Sequence, residues 1–126
     1  MSDLFFKFPS TPHLAVLGEN KIRDDKVLSR KNRDAFLKNR LIVEEKIDGA
    51  NLGISFDEQG SLILQNRGSI LSQPYSGQWR KLERWLPPRL EILFDHLYNR
   101  YVLFGEWCFA KHSVGYNKLP DYYLGF

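Results

Sequence analysis

The alternation between Asn51 and Phe56 limits what this chain can fold into more than any other feature. Leu52, Ile54 and Phe56 fall on one face of an extended backbone, and Asn51, Gly53 and Ser55 fall on the other. Four turn formers follow, Asp57-Glu58-Gln59-Gly60, and Ser61 to Arg67 reads as the returning strand. The segment therefore predicts a β-hairpin with one wet face. Leu41-Ile42-Val43 predicts the start of a β run ahead of it. Downstream, Trp79, Leu82, Trp85 and Leu86 recur at helical spacing, as do Leu90, Leu93, Phe94, Leu97 and Tyr98. Pro87-Pro88 is expected to separate these two helices. Tyr101 to Trp107 predicts a further strand, and Tyr122 to Phe126 begins one more. Upstream, residues 4 to 17 read as irregular around Pro9 and Pro12, and Val27 to Lys38 reads as a helix with a basic face. Strands, then helices, then strands predict an α+β fold with an antiparallel sheet.

Composition narrows the class. A chain of 126 residues with 43% hydrophobic and 26% charged residues has the makeup of a folded domain, not of a disordered tail. No repeat, low-complexity tract or linker interrupts it, so it reads as one continuous piece. No apolar run reaches the roughly 18 to 20 residues that a bilayer span needs, and Met1 to Ser10 is charged and broken by proline. Neither a membrane helix nor a signal peptide is expected, and the expected compartment is the cytoplasm. A single cysteine, Cys108, excludes an internal disulfide and a CxxC zinc site. The net charge of +3 is unevenly spread: residues 1 to 40 hold nine Lys and Arg against five acids, while residues 41 to 126 hold nine against ten. A basic front segment suits a polyanion such as nucleic acid or nucleotide phosphate, but on charge alone a solvated helix face is the favoured account.

The segment that calls for a chemical explanation is Glu44-Glu45-Lys46-Ile47-Asp48-Gly49-Ala50-Asn51, at the edge of the hairpin. In extended backbone Lys46 and Asp48 point to the same side, and Gly49 permits a tight turn or a close approach of ligand to backbone. An amine, a carboxylate and an amide then share one pocket. The pattern K-x-D-G-x-N arises by chance at roughly 10⁻⁵ per position.

Lys46-Ile47-Asp48-Gly49 resembles the first motif of the covalent nucleotidyltransferases, the group of ATP-dependent DNA and RNA ligases and GTP-using mRNA capping enzymes. Three further segments match in order. Asn66-Arg67-Gly68-Ser69 is similar to the arginine-bearing motif, Phe104-Gly105-Glu106-Trp107 to the glutamate motif, and Tyr122-Tyr123-Leu124-Gly125-Phe126 to the aromatic motif. Asn51, five residues past Lys46, the spacing from Glu106 to Phe126, and the segment Phe8-Pro9-Ser10-Thr11-Pro12-His13 resemble the RNA ligase branch that seals nicked or duplex RNA.

The resemblance implies an antiparallel-sheet nucleotidyltransferase domain of the ATP-grasp-like ligase kind, and an ATP-dependent RNA ligase with ATP and Mg²⁺ as cofactors. Lys46 would attack the α-phosphate of ATP and carry AMP, the nucleophilic catalysis of an amine. The AMP would pass to an RNA 5′-phosphate, and an RNA 3′-hydroxyl would displace it. Glu106 would contact the ribose, Phe126 would stack on adenine, and Arg67 would hold phosphate. Glu45, Asp48, Gly49 and Asn51 would shape the nucleotide pocket and the reacting ends. No residue is assigned to metal. His13, His96, His112 and Tyr116 receive no chemical role.

The family carries two more motifs, a glutamate-glycine segment that binds metal and a lysine-x-lysine strand on the phosphates. Neither Glu-Gly nor Lys-x-Lys occurs among the 126 residues. Residues 1–126 are therefore expected to be part of an RNA ligase adenylyltransferase domain, incomplete at the carboxyl end. An amine nucleophile needs neighbouring cations to shed its proton, so the expected self-adenylylation of these residues alone is weak or absent. The other classes compatible with the residues are a non-catalytic nucleotide- or RNA-binding remnant, a DNA ligase and a capping-type nucleotidyltransferase.

Overall fold

Strand β1 (Ala50–Phe56) is the centre of a five-stranded sheet in the computed structural model, which describes residues 5–18 and 26–126. With β2 (Leu62–Gln65), β3 (Ile70–Leu71), β4 (Leu103–Trp107) and β5 (Tyr123–Gly125) it forms the order β3-β2-β1-β4-β5, every neighbouring pair antiparallel. The helices are α1 (Arg30–Leu37), α2 (Leu82–Trp85) and α3 (Leu90–Leu97). The fold is α+β, as the order of predicted elements implies. The chain forms two compact units, one containing the described residues up to Phe8 together with residues 46–126, and the other residues 9–45.

In the first unit the hairpin is closed by local chemistry. Asp57 Oδ1 accepts the backbone N–H groups of Gln59 and Ser61 at 2.9 and 2.7 Å, and Gly60 takes the left-handed conformation at φ +81°. Asn66 turns β2 into β3 in the same way, its Oδ1 accepting from the backbones of Gly68 and Ser69. That two-residue β3 has no alternating pattern and was not expected from the sequence.

Leu52, Ile54, Leu64 and Trp107 turn to one side of the sheet and are fully buried there with Leu82, while Trp85, Leu86 and Leu97 also pack into this core. Each such aliphatic side chain contributes about 1.5–3 kcal/mol by leaving water. Trp85 ties the helical layer to the sheet. It packs edge-on against Trp107 and Tyr123 at 5.7 and 5.5 Å, and its Nε1 donates to Asp121 Oδ1 at 2.8 Å. Arg89 lies over the Trp85 ring and closes the arrangement with a 2.9 Å ion pair to Asp121. Pro87 and Pro88 separate α2 from α3, as expected. They begin a 3₁₀ turn, Pro87–Arg89, that runs into α3, and Leu86 before them stays helical at φ −69°, ψ −50°. A proline in the first turn of a helix gives up only an N–H that has no partner there.

The opposite side of the hairpin is not wet. Asn51 and Ser55 are only 8% and 7% exposed, and Gly53 is buried. The amino-terminal segment covers it: Gln65 Nε2 donates to the Phe6 carbonyl at 2.6 Å, and its Oε1 accepts the Phe6 N–H. Phe6 and Phe8 pack on Phe104 at 6.2 and 5.0 Å, and Phe8 meets Phe126 edge-on at 5.4 Å. A pattern of alternation records the pleat; it holds no information about a segment some fifty residues away that lies across the polar side.

In the second unit α1 is shorter than the predicted 27–38 helix, because Ser29 caps it by accepting the Asn32 N–H at 3.2 Å. Val27 instead makes an isolated bridge to His13. Leu41-Ile42-Val43 forms no strand, and Ile42 and Val43 are 88% and 90% exposed. These apolar residues favour extended backbone, yet a strand exists only with a ladder partner, and none pairs with them among the described residues. Lys21 and Arg23 of the basic segment lie outside the described residues.

Candidate functional site

The chain enters β1 through Lys46-Ile47-Asp48-Gly49, and Asp48 is the best-anchored residue of this segment. Its Oδ2 accepts the backbone N–H groups of Ser113 and Val114 at 2.8 and 2.9 Å, and its own N–H donates to the Tyr116 hydroxyl at 2.7 Å. The bond from Val114 leads in holding the Asp48 carboxyl below its ordinary value, against some burial, with Ser113, His112 and Lys46 adding to the effect. Gly49 is required for a reason other than flexibility. A Cβ there would lie 2.7 Å from the Trp107 carbonyl oxygen and 2.9 Å from Cys108 Sγ, so β4 occupies the space a side chain would need.

Pairing of β1 with β4 sets Asn51 directly opposite Glu106, with both side chains on the face away from the helices. Burial pushes the Glu106 carboxyl up from its ordinary range, while the charge of Lys46, the Gly49 N–H and the charge of Arg67 pull it down and Asp48 pushes it up. Four predicted residues, Lys46, Gly49, Arg67 and Asp48, thus act on a fifth, Glu106, at one end of the sheet. Lys46 and Arg67 are exposed, Arg67 in the turn after β2. Among the described residues Asn51 has no partner for Nδ2 or Oδ1, although both atoms are buried. Phe126 follows β5 with its N–H on the Phe104 carbonyl, stays 57% exposed and has Phe8 against its ring. Glu45 is exposed and belongs to the second compact unit. Among the described residues no group of three His, Cys, Asp or Glu side chains converges as a metal site.

A family model described as RNA ligase matches residues 39–126, which span every position from Glu45 to Phe126. The chain belongs to the RNA ligase family. No curated protein and no solved structure matches it. RNA ligase membership implies RNA and nucleotide substrates in general, and no helix among the described residues is long and apolar enough to cross a membrane.

Two neighbours of this RNA ligase site carried no individual role in the sequence reading. Tyr116 is the hydroxyl that fixes the Asp48 backbone, and Phe8 is the aromatic neighbour of Phe126. Tyr116 lies 68 positions from Asp48, and the Ser113 and Val114 contacts use backbone amides that every residue but proline possesses, so no residue pattern marks them.

Proposed function

We propose that this chain carries the nucleotide-binding face of an ATP-dependent RNA ligase acting through a lysyl-AMP intermediate, built on an antiparallel nucleotidyltransferase sheet. The observation that supports it most is the Asn51 amide, buried with both polar atoms unpartnered across the ladder from Glu106. A native fold rarely leaves such a group orphaned, and a bound nucleotide would supply its missing partners. Lys46 and Arg67 bring positive charge to the same end of the sheet, where their effect on Glu106 is felt.

In this reading the Lys46 amine, having lost a proton, forms a bond to the α-phosphorus of ATP. The bond from that phosphorus to the bridging oxygen breaks, and pyrophosphate leaves. Mg²⁺, for which the described residues offer no converging ligand set, would enter with ATP and would supply charge neutralisation of its phosphates. An RNA 5′-phosphate oxygen then takes the AMP from Lys46, and an RNA 3′-hydroxyl displaces AMP to form the phosphodiester. Arg67 holds phosphate, Glu106 and Asn51 hold the sugar and the reacting ends, Phe126 stacks on the base, and Asp48 and Gly49 fix the backbone that bears Lys46.

Incubation with ATP radiolabelled at the α-phosphate and Mg²⁺ tests the reading. The expected result is a weak covalent band that acid removes, as a phosphoramidate requires, and that is absent in Lys46→Ala. A band that persists in Lys46→Ala, or no band under any divalent cation, overturns it. Preferential labelling by GTP in a parallel reaction moves the assignment to capping chemistry.

A further inference from the structure

The Asp48 contacts reach beyond the nucleotide site. Through Ser113, Val114 and Tyr116 they fasten the loop after β4 to the segment that carries Lys46. The same loop is tied to the 3₁₀ turn Gly77–Trp79, since His112 Nε2 lies 3.2 Å from Gln78 Oε1 and Trp107 Nε1 donates to the Gln78 carbonyl at 2.7 Å. Directly after that turn, Arg80 and Lys81 stand over the ring of Phe109, 5.0 and 5.9 Å from its centre. Lys111, two residues after Phe109, lines the same cavity as that ring, and a Cβ on Gly115 would lie 3.4 Å from its Cε. Arg80 and Lys111 are exposed, and none of the three cations is in an ion pair among the described residues. Cations held over an aromatic face are pre-placed, so they lose little freedom when they meet an anion.

We propose that Arg80, Lys81, Lys111 and His112 form a docking surface for the phosphate backbone of the RNA being joined, held in register with Lys46 by the Asp48 contacts. Three cations without carboxylate partners suit a polyanion. Phe109 is half-buried, engaged by the two cations and met edge-on by Tyr122 at 5.7 Å, so it positions charge and does not stack a base. The surface accordingly reads phosphates without regard to sequence. The choice of RNA as occupant rests on the ligase reading above.

The test is binding of a nicked RNA duplex bearing a 5′-phosphate at the nick, followed by fluorescence anisotropy over a series of salt concentrations. The variants are Arg80→Gln/Lys81→Gln and, at an exposed loop position, Lys111→Gln. The plot of log affinity against log salt should become shallower by about 1 for each cation removed, and the double variant should bind about tenfold more weakly at low salt. Unchanged slope and affinity in both variants overturn the surface. Tighter binding of polyglutamate than of the RNA overturns RNA as its occupant. Each variant is also labelled with radioactive ATP. RNA binding at the wild-type level in variants that still label Lys46 removes this surface and leaves the ligase reading intact. A shallower slope with no Lys46 label in any form supports the surface and removes the lysyl-AMP chemistry.

Discussion

Burying both polar atoms of the Asn51 amide without partners opposes folding by about 1–3 kcal/mol. Asn51→Leu, of similar size and without polar atoms, should therefore raise the thermal unfolding midpoint by a few degrees while weakening ATP binding at least tenfold. Calorimetry and nucleotide titration check the two halves, and a lowered midpoint would mean that the amide is satisfied in solution. The neighbouring carboxylates depend on pH with opposite sign. Asp48 is held below its ordinary value near 3.8, so what it adds to stability is present above that value and is lost as pH falls through its lower folded value. Exchange of the Ser113 and Val114 amides should accelerate in that acid window, which NMR can follow. Glu106 is pushed above its ordinary value near 4.5, so its contribution is full below that value and disappears as pH rises through the folded one. Glu106→Gln should flatten the dependence of the unfolding midpoint on pH above 4.5.

Strand packing depends on two glycines for which no side chain can substitute. A Cβ at Gly105 would strike the Leu124 carbonyl oxygen and lie 2.7 Å from the Tyr123 ring, so Gly105→Ala should cost about 1–3 kcal/mol in chemical denaturation by prying β5 from β4. Gly49→Ala should cost a similar amount, since it would push against the Trp107 carbonyl oxygen. β1, β2 and β4 were legible because Leu52, Ile54, Leu64 and Phe104 follow the pleat, and β5 from the apolar run Tyr122 to Phe126. β3 was not, having only Ile70 and Leu71 to announce it, and Leu41-Ile42-Val43 carries strand chemistry without a pairing partner. The residue types of the site were readable from their order along the chain. Their assembly was not, because the Asp48 contacts and the cover over Gln65 and Phe104 come from segments far away in sequence.

At the scale of the molecule, the first compact unit is built from two stretches of chain, with the second unit between them. A fragment of residues 46–126 alone would keep the helical face of its sheet and lose Phe6 and Phe8 from the other. It should unfold at about 2 kcal/mol lower stability than the whole chain and bind a hydrophobic dye at the uncovered Phe104. Denaturation midpoints and dye fluorescence decide it, and equal stability would mean that the amino-terminal cover contributes nothing.

Gln65 reaches back 59 positions to grip the Phe6 backbone at both its N–H and its carbonyl. Joining two points on a flexible chain becomes harder only with the logarithm of the intervening length, so even a doubled excursion would add about 0.6 kcal/mol. The grip specifies which residues meet and is nearly indifferent to how much polypeptide separates them. Insertions in the irregular stretches of residues 9–45 should therefore leave the sheet's register and the spacing of Lys46, Asn51 and Glu106 as they are.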